Sequence, residues 1–336
     1  MNNSLPLPPQ MDITPAAAAG ELLRRRMARR SLIAFCQYTF PEYMAAPHLT
    51  ALSDALESIE RGELKRLMVL MPPRHGKSEK VSLRFPCWYL AKHPDARIVQ
   101  AGYAESIALT HSRKARDIFV TPQMSNLFPN IYHRPERAGQ EAVITERQAA
   151  HEWGTKQGGS YYAVGIGGGL TGRGFDVGII DDPVKDEEEA SSQTIRDKVW
   201  EWYATVFRTR AQPDAAIILV MTRWHQDDLA GRLLKQSHDD PAADQWEVLH
   251  FPAIKDNQAL WPERYPIEAL EQTRSSIGGR AFESLYQGNP TVAEGQIIKR
   301  EWWKYYKELP TFYKRIHSMT TKSTYHNGIY QFNSLS

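Results

Sequence analysis

An excess of charge of either sign is missing from this sequence: 41 Lys and Arg stand against 39 Asp and Glu, a formal net charge of +2. A polyanionic partner therefore cannot be argued from global charge, and any contact with nucleic acid has to come from local patches. Cysteine is scarce as well. Cys36 and Cys87 are the only two, too far apart for a metal-ligand spacing and too few for a disulfide framework, which fits a reducing cytosol. No basic segment followed by an apolar stretch opens the chain, so no signal peptide is read. The longest apolar run, Ala215 to Met221, is too short to span a bilayer. No period of roughly 20 to 50 residues repeats, which excludes solenoids. What remains is a chain of 336 residues, long enough for one large or two modest domains and expected to be soluble and intracellular.

Against that background one stretch stands out, Leu67-Met68-Val69-Leu70-Met71-Pro72-Pro73-Arg74-His75-Gly76-Lys77-Ser78. An apolar run of one strand's length feeds a turn with Gly76, Lys77 and Ser78, and a helix-compatible segment follows. Glycine lets backbone amides approach a polyphosphate, lysine neutralises its β/γ oxygens, and a serine hydroxyl can ligate Mg²⁺. The first glycine of the usual phosphate-loop pattern is replaced by Met71, and Gly-Lys-Ser alone also suits an exposed turn. A second site, Phe175 to Pro183, reads as a buried strand ending in Asp181 and Asp182. There the first acid suits Mg²⁺ and the second can polarise an attacking water. Pro183 ends the strand at the sheet edge where ligands bind.

The rest of the chain supplies a frame. Residues 1–20 read as a flexible leader. A helix from Glu21 carries the cluster Arg24-Arg25-Arg26, which suits DNA phosphate, a partner subunit or simply a solvated face. Phe40 and Tyr43 could flank an adenine ring, but core packing is the simpler account of both. Helices over 79–91 and 105–119 alternate with strands at 97–101, 142–145 and 161–166, the pattern of a parallel α/β sheet. Gly165 to Gly174 reads as a mobile glycine-rich loop with Arg173 at its tip. Residues 186–210 and 266–287 read as helices and Trp246–Phe251 as a strand. After Ala215–Met221 stands Thr222, where a polar side chain can sense a γ-phosphate. His225 lacks a partner at ligand spacing and is read as a hydrogen-bonding residue.

Collected in order, Pro72–Ser78, Gly169–Gly174, Ile179–Pro183, Met221–His225 and Tyr286–Pro290 before Glu294-Gly295 resemble the large subunit of tailed-phage terminases. The resemblance implies a P-loop NTPase of α/β class, with a RecA-like, mostly parallel sheet, additional strands, flanking helices and a small helical lid. It implies an ATPase domain over 21–290, with lid elements around 186–212 and 226–288. Residues 291–336 would be a linker and the truncated start of the family's RNase H-like nuclease domain, which is otherwise expected to be missing, with an aberrant tail. ATP would be bound by Pro73, Arg74, His75, Gly76, Lys77, Ser78 and Thr222, and Mg²⁺ by Ser78 and Asp181. Catalysis would fall to Asp182, Lys77 and an arginine, Arg173 or Arg113, acting in cis or from a neighbouring subunit. Implied partners are double-stranded DNA, a small terminase subunit, a portal protein and further copies of the chain in a ring, in the cytoplasm of a bacterial host and away from any membrane.

Where the family's nuclease domain would begin with an aspartate-bearing strand, this sequence has Ser318-Met319-Thr320-Thr321-Lys322, and the 323–336 tail shows no family pattern. Nuclease activity is therefore expected to be absent, since two-metal cleavage needs clustered carboxylates. Two other readings stay open: a helicase-like nucleic-acid-stimulated ATPase, and a prophage remnant that only binds nucleotide or partner subunits.

Overall fold

A computed structural model describes residues 14–132 and 150–290, together with the backbone of two strands near the C-terminus. Thr14 caps the first helix, α1 (Pro15–Arg30), by accepting the Ala17 amide, and Pro15 and four alanines fill its first turns. The helix expected from Glu21 therefore starts six residues earlier, because proline at the first position needs no amide partner and alanine favours helix. Helices α2 (Leu32–Thr39) and α3 (Pro47–Glu60) lead into β1 (Arg66–Leu70). The phosphate-loop segment then enters a π-helical turn, Glu79–Arg84, continued by α4 (Phe85–Lys92). After β2 (Arg97–Gly102) come α5 (Glu105–Phe119), α6 (Pro122–Leu127) and α7 (Pro129–Tyr132). Next are β3 (Glu152–Gly154), β4 (Ser160–Gly165), β5 (Phe175–Asp181), α8 (Glu187–Ser191) and α9 (Gln193–Trp202). Then β6 (Ala211–Met221), α10 (Leu229–Asp239) and β7 (Glu247–His250) complete the main sheet.

The seven strands run in the order β3-β4-β2-β5-β6-β1-β7, and every pair except β3–β4 is parallel. The strand β6 thus stands between β1, which feeds the phosphate loop, and β5, which carries the two acids. This is the additional-strand arrangement, and helices cover both faces as the α/β reading requires. Alternation along the strands divides the core. Leu67, Val69, Val177, Ile179, Ile218 and Val220 face helices α1 to α6. Met68, Leu70, Ile180, Ile217, Leu219 and Met221 face Val199 and Trp202 of α9 and Leu229 and Leu233 of α10.

A smaller cluster of Ala253, Leu270 and Phe282 joins β8 (Ile254–Lys255), β9 (Gln258–Ala259), α11 (Ile267–Ile277) and α12 (Gly279–Leu285). The single helix expected over 266–287 is broken at Gly278, whose φ of 86° no other residue type adopts easily. The strand expected at 142–145 and the turn and strand expected at 294–299 fall outside the described residues, as does the Ser318–Thr320 part of the nuclease comparison. The chain divides into two compact units, Met1–Thr291 and Val292–Ser336. In the second, β10 (Thr321–His326) pairs antiparallel with β11 (Ile329–Ser334). The tail read as having no family pattern thus carries paired strands, and the sequence between them is Asn327-Gly328, a signature of two-residue turns. No helix among the described residues is long and apolar enough to cross a membrane.

Candidate nucleotide site

Register places the ends of β1, β6, β5 and β2 along one carboxyl edge, since Leu70 pairs with Met221, Val220 with Asp181 and Asp181 with Gly102. The chain leaves β1 through Pro72 and Pro73, and Arg74 and Gly76 take left-handed φ values of 64° and 93°. Gly76 is favoured by its φ, and a Cβ there would also lie 3.1 Å from Leu49 Cδ2, so that side chain would have to shift. The buried His75 ring donates from Nδ1 to Pro73 O at 2.8 Å and stacks on Tyr265 at 4.6 Å between centroids. His48 Nε2 donates to His75 O at 3.1 Å. Burial pushes the His75 pKa down to about 4, so the ring is neutral near neutral pH, as one donor bond and one unpartnered buried nitrogen require. Arg74 is exposed, and its carbonyl accepts the Tyr265 hydroxyl at 3.4 Å.

Lys77, Asp182 and Thr222 close a triangle. Lys77 Nζ donates to Thr222 Oγ1 at 2.5 Å and pairs with Asp182 Oδ2 at 2.9 Å, while the Thr222 amide donates to Asp182 Oδ1 at 2.8 Å. Asp182 itself has a φ of 46°, with its amide bonded to Val220 O and its carbonyl to the Tyr103 amide. Beside it, Asp181 is buried. Its Oδ2 accepts from Ser82 Oγ at 2.7 Å, and its Oδ1 has no partner. Burial first, and the neighbouring Asp182 charge second, raise the Asp181 pKa. An orphaned carboxylate oxygen in a buried site next to a phosphate loop fits a divalent cation, which would relieve both costs. Ser78, the other expected ligand, is half-buried at the start of the helix, and its side chain caps nothing.

The sequence-predicted residues Pro73 to Ser78, Asp181, Asp182 and Thr222 thus lie along the same edge. Arg173 does not join them. Its guanidinium donates to Glu152 Oε1 at 2.8 Å and lies 4.1 Å over the Tyr162 ring. It lines a cavity of about 160 Å³ with Arg97, Glu152, Ser160 and Tyr162. Arg97 begins β2 and Gly102, beside Asp181, ends it, so this cavity opens roughly 16 Å from the acids along the strand. The glycine-rich loop expected to be mobile is tethered: Leu170 is fully buried, and Trp202 Nε1 donates to Gly168 O at 2.8 Å. Arg113 is exposed on α5 and donates to Thr110 Oγ1. His225 hydrogen-bonds, accepting the Asp227 amide at Nδ1.

Several residues about this edge escaped the sequence reading. Ser82 and His111 hold Asp181, His111 Nδ1 lying 3.7 Å from Oδ2. Tyr265 and Trp261 flank His75, and Ser284 Oγ donates to the carbonyls of Arg223 and Trp224 just beyond Thr222. Only Ser82 carried a usable signal, one helical turn beyond Ser78. The others meet the site through long-range packing.

Among solved structures, the HK97 bacteriophage large terminase is 15% identical with a TM-score of 0.48, over 78% of this chain and 55% of that one. The Thermus phage P74-26 large terminase ATPase domain is 14% identical with a TM-score of 0.45, over 70% of this chain and 93% of that one. The large terminase of another, thermophilic bacteriophage, in complex with ADP, is 12% identical with a TM-score of 0.41, over 86% of this chain and 60% of that one. The chain therefore spans about half the length of the HK97 protein. No curated protein matches it. The family model described as terminase large subunit, T4likevirus-type, N-terminal, matches residues 68–305, well over half of the chain. That match takes in the phosphate loop, the paired acids and Thr222, and by it the chain belongs to the terminase large subunit family.

Proposed function

We propose that this chain hydrolyses ATP with Mg²⁺ and that the hydrolysis drives packaging of double-stranded DNA into a phage procapsid. The observation that carries the proposal is the closed Lys77–Asp182–Thr222 triangle beside a buried acid with one free oxygen. Residues 21–290 would form the ATPase domain, with Pro73 to Ser78 and Thr222 about the nucleotide. Ser78 and Asp181 would hold the cation, which supplies charge neutralisation at the β/γ oxygens. Phosphate oxygens compete for Lys77, drawing its ammonium from Asp182 Oδ2. The freed carboxylate, still fixed by the Thr222 amide at Oδ1, can then orient a water. Loss of the Lys77 contact at Thr222 Oγ1 reports the same event to the segment beyond β6. Arg173, distant from the two acids of its own chain and paired with Glu152, would act only on a neighbouring subunit. Family membership supports a ring on a portal, a small-subunit partner and a place in the host cytoplasm.

The test is ATP turnover by the full chain with and without double-stranded DNA, beside Lys77→Ala and Asp182→Asn. Asparagine tolerates the left-handed conformation of Asp182, so that variant removes the charge and one acceptor oxygen without straining the backbone. Both variants should lose about 100-fold or more in kcat, and DNA should stimulate the wild type. Turnover equal in wild type and Lys77→Ala would refute the ATPase, and strand separation without packaging would point to a helicase-like enzyme.

A further inference from the structure

Asp181 is held from behind by a side chain that no nucleotide motif contains. Ser82 Oγ donates to Asp181 Oδ2 at 2.7 Å, and both residues are buried. Ser82 sits in the π-helical turn Glu79–Arg84 that continues the phosphate loop, and its carbonyl accepts the Tyr161 hydroxyl at 3.1 Å, tying that turn to β4. Such turns are short, rare and concentrated at functional sites. His111 Nδ1 lies 3.7 Å from the same Oδ2, and Gln100 Nε2 is 3.3 Å from His111 Nδ1. One oxygen of the carboxylate is therefore engaged while the other, Oδ1, is buried with no partner. Rotation of an aspartate carboxylate about its last torsion is soft. Of the two contacts to Oδ2 only the one from Ser82 is a hydrogen bond, since His111 at 3.7 Å lies beyond hydrogen-bond reach.

We propose that Ser82 is a positioning residue: by engaging Oδ2 it presents Oδ1 of Asp181 to the divalent cation that accompanies the nucleotide. The inference rests on the ATPase reading, in which Asp181 carries that cation. Carboxylates that ligate metals are themselves hydrogen-bonded, and removal of such a partner lowers metal affinity by roughly 10–100-fold. A purely structural role, stitching the helix to β5, would instead weaken folding and nucleotide binding together.

The experiment uses the full chain with Mn²⁺ as the probe, titrated by electron paramagnetic resonance in the presence of ADP. Binding of a fluorescent ADP in EDTA supplies a metal-free readout, and thermal melts report folding. Ser82→Ala should weaken Mn²⁺ binding by roughly tenfold or more, whereas metal-free ADP binding should stay within about twofold. Ser82→Thr, which keeps the hydroxyl, should restore most of the Mn²⁺ affinity. Ser82→Cys, a weaker donor of similar size, should fall between the two and serves if the alanine variant does not fold. Wild-type Mn²⁺ affinity in Ser82→Ala or Ser82→Cys overturns the proposal, and so does an equal loss of metal-free ADP binding. Asp181→Asn separates the two readings. If it leaves Mn²⁺ affinity intact, the cation assignment itself falls. If it abolishes binding while Ser82→Ala does not, only the role of Ser82 falls.

Discussion

Arg74 and Asp182 both hold left-handed φ values without being glycine, and both lie at the proposed phosphate site. Such conformations cost of order 1–3 kcal/mol and persist where surrounding bonds fix them. Around Asp182 the fixing bonds run to Val220, Tyr103, Thr222 and Lys77. His75 adds a cost that depends on pH. Its pKa of about 4 in the folded protein lies below the usual histidine value near 6.5. The stability gained by keeping it neutral is complete above about pH 6.5 and is lost as pH falls toward 4. At pH 5 the loss should be about 2 kcal/mol. Melting curves between pH 7.5 and 5 should therefore show a smaller fall in Tm for His75→Phe than for wild type. An equal fall would show that His75 is not the group responsible. At this scale the sequence named Lys77, Asp181, Asp182 and Thr222 correctly as neighbours, because phosphate chemistry restricts which side chains can stand there. It could not name Tyr265, which meets His75 from a segment far along the chain.

Strand β5 shows how an element is constrained by what lies behind it. It ends in the two acids, and its central Gly178 leaves no room: a Cβ would lie 2.6 Å from Phe175 Cε2 and 2.7 Å from Phe207 Cζ. Both rings belong to the same core face and sit 4.9 Å apart. Gly178→Ala should therefore destabilise by about 1–3 kcal/mol through overpacking, lowering Tm on the order of 5 °C. Phe207→Leu added to it should recover part of that loss, because it removes one of the two rings the added methyl meets. Additive losses in the double variant would place the strain elsewhere. The run from Phe175 to Asp181 announced a strand by its apolar residues, but nothing in it announced which ring would cover the glycine. The π turn at Glu79–Arg84 was equally hidden, since residue preferences there favour helix in general and do not choose between hydrogen-bond registers. The three-residue β3 escaped because so short a strand has no period to detect.

For the whole molecule, alternation of strands and helices was enough to indicate a parallel α/β sheet, but not the order of its strands. That β6, far along the chain, inserts between β1 and β5 is set by register and by which faces must be buried, and neither is local. The insertion has a functional consequence, for it places Thr222 between Lys77 and Asp182. Completeness of this arrangement can be tested at the level of the chain. Every residue of the two large cores and of the cluster around Ala253 and Phe282 precedes Thr291 among the described residues. Each contact drawn about the nucleotide site does so too. If the proposed domain 21–290 folds by itself, a protein ending at Thr291 should melt within about 2 °C of the full chain. It should also bind fluorescent ADP with unchanged affinity, because Pro73 to Ser78, Asp182 and Thr222 keep their partners. If the shortened protein instead melts well below the full chain, residues 292–336 contribute to the stability of the first unit, and the proposed domain boundary near 290 has to be moved.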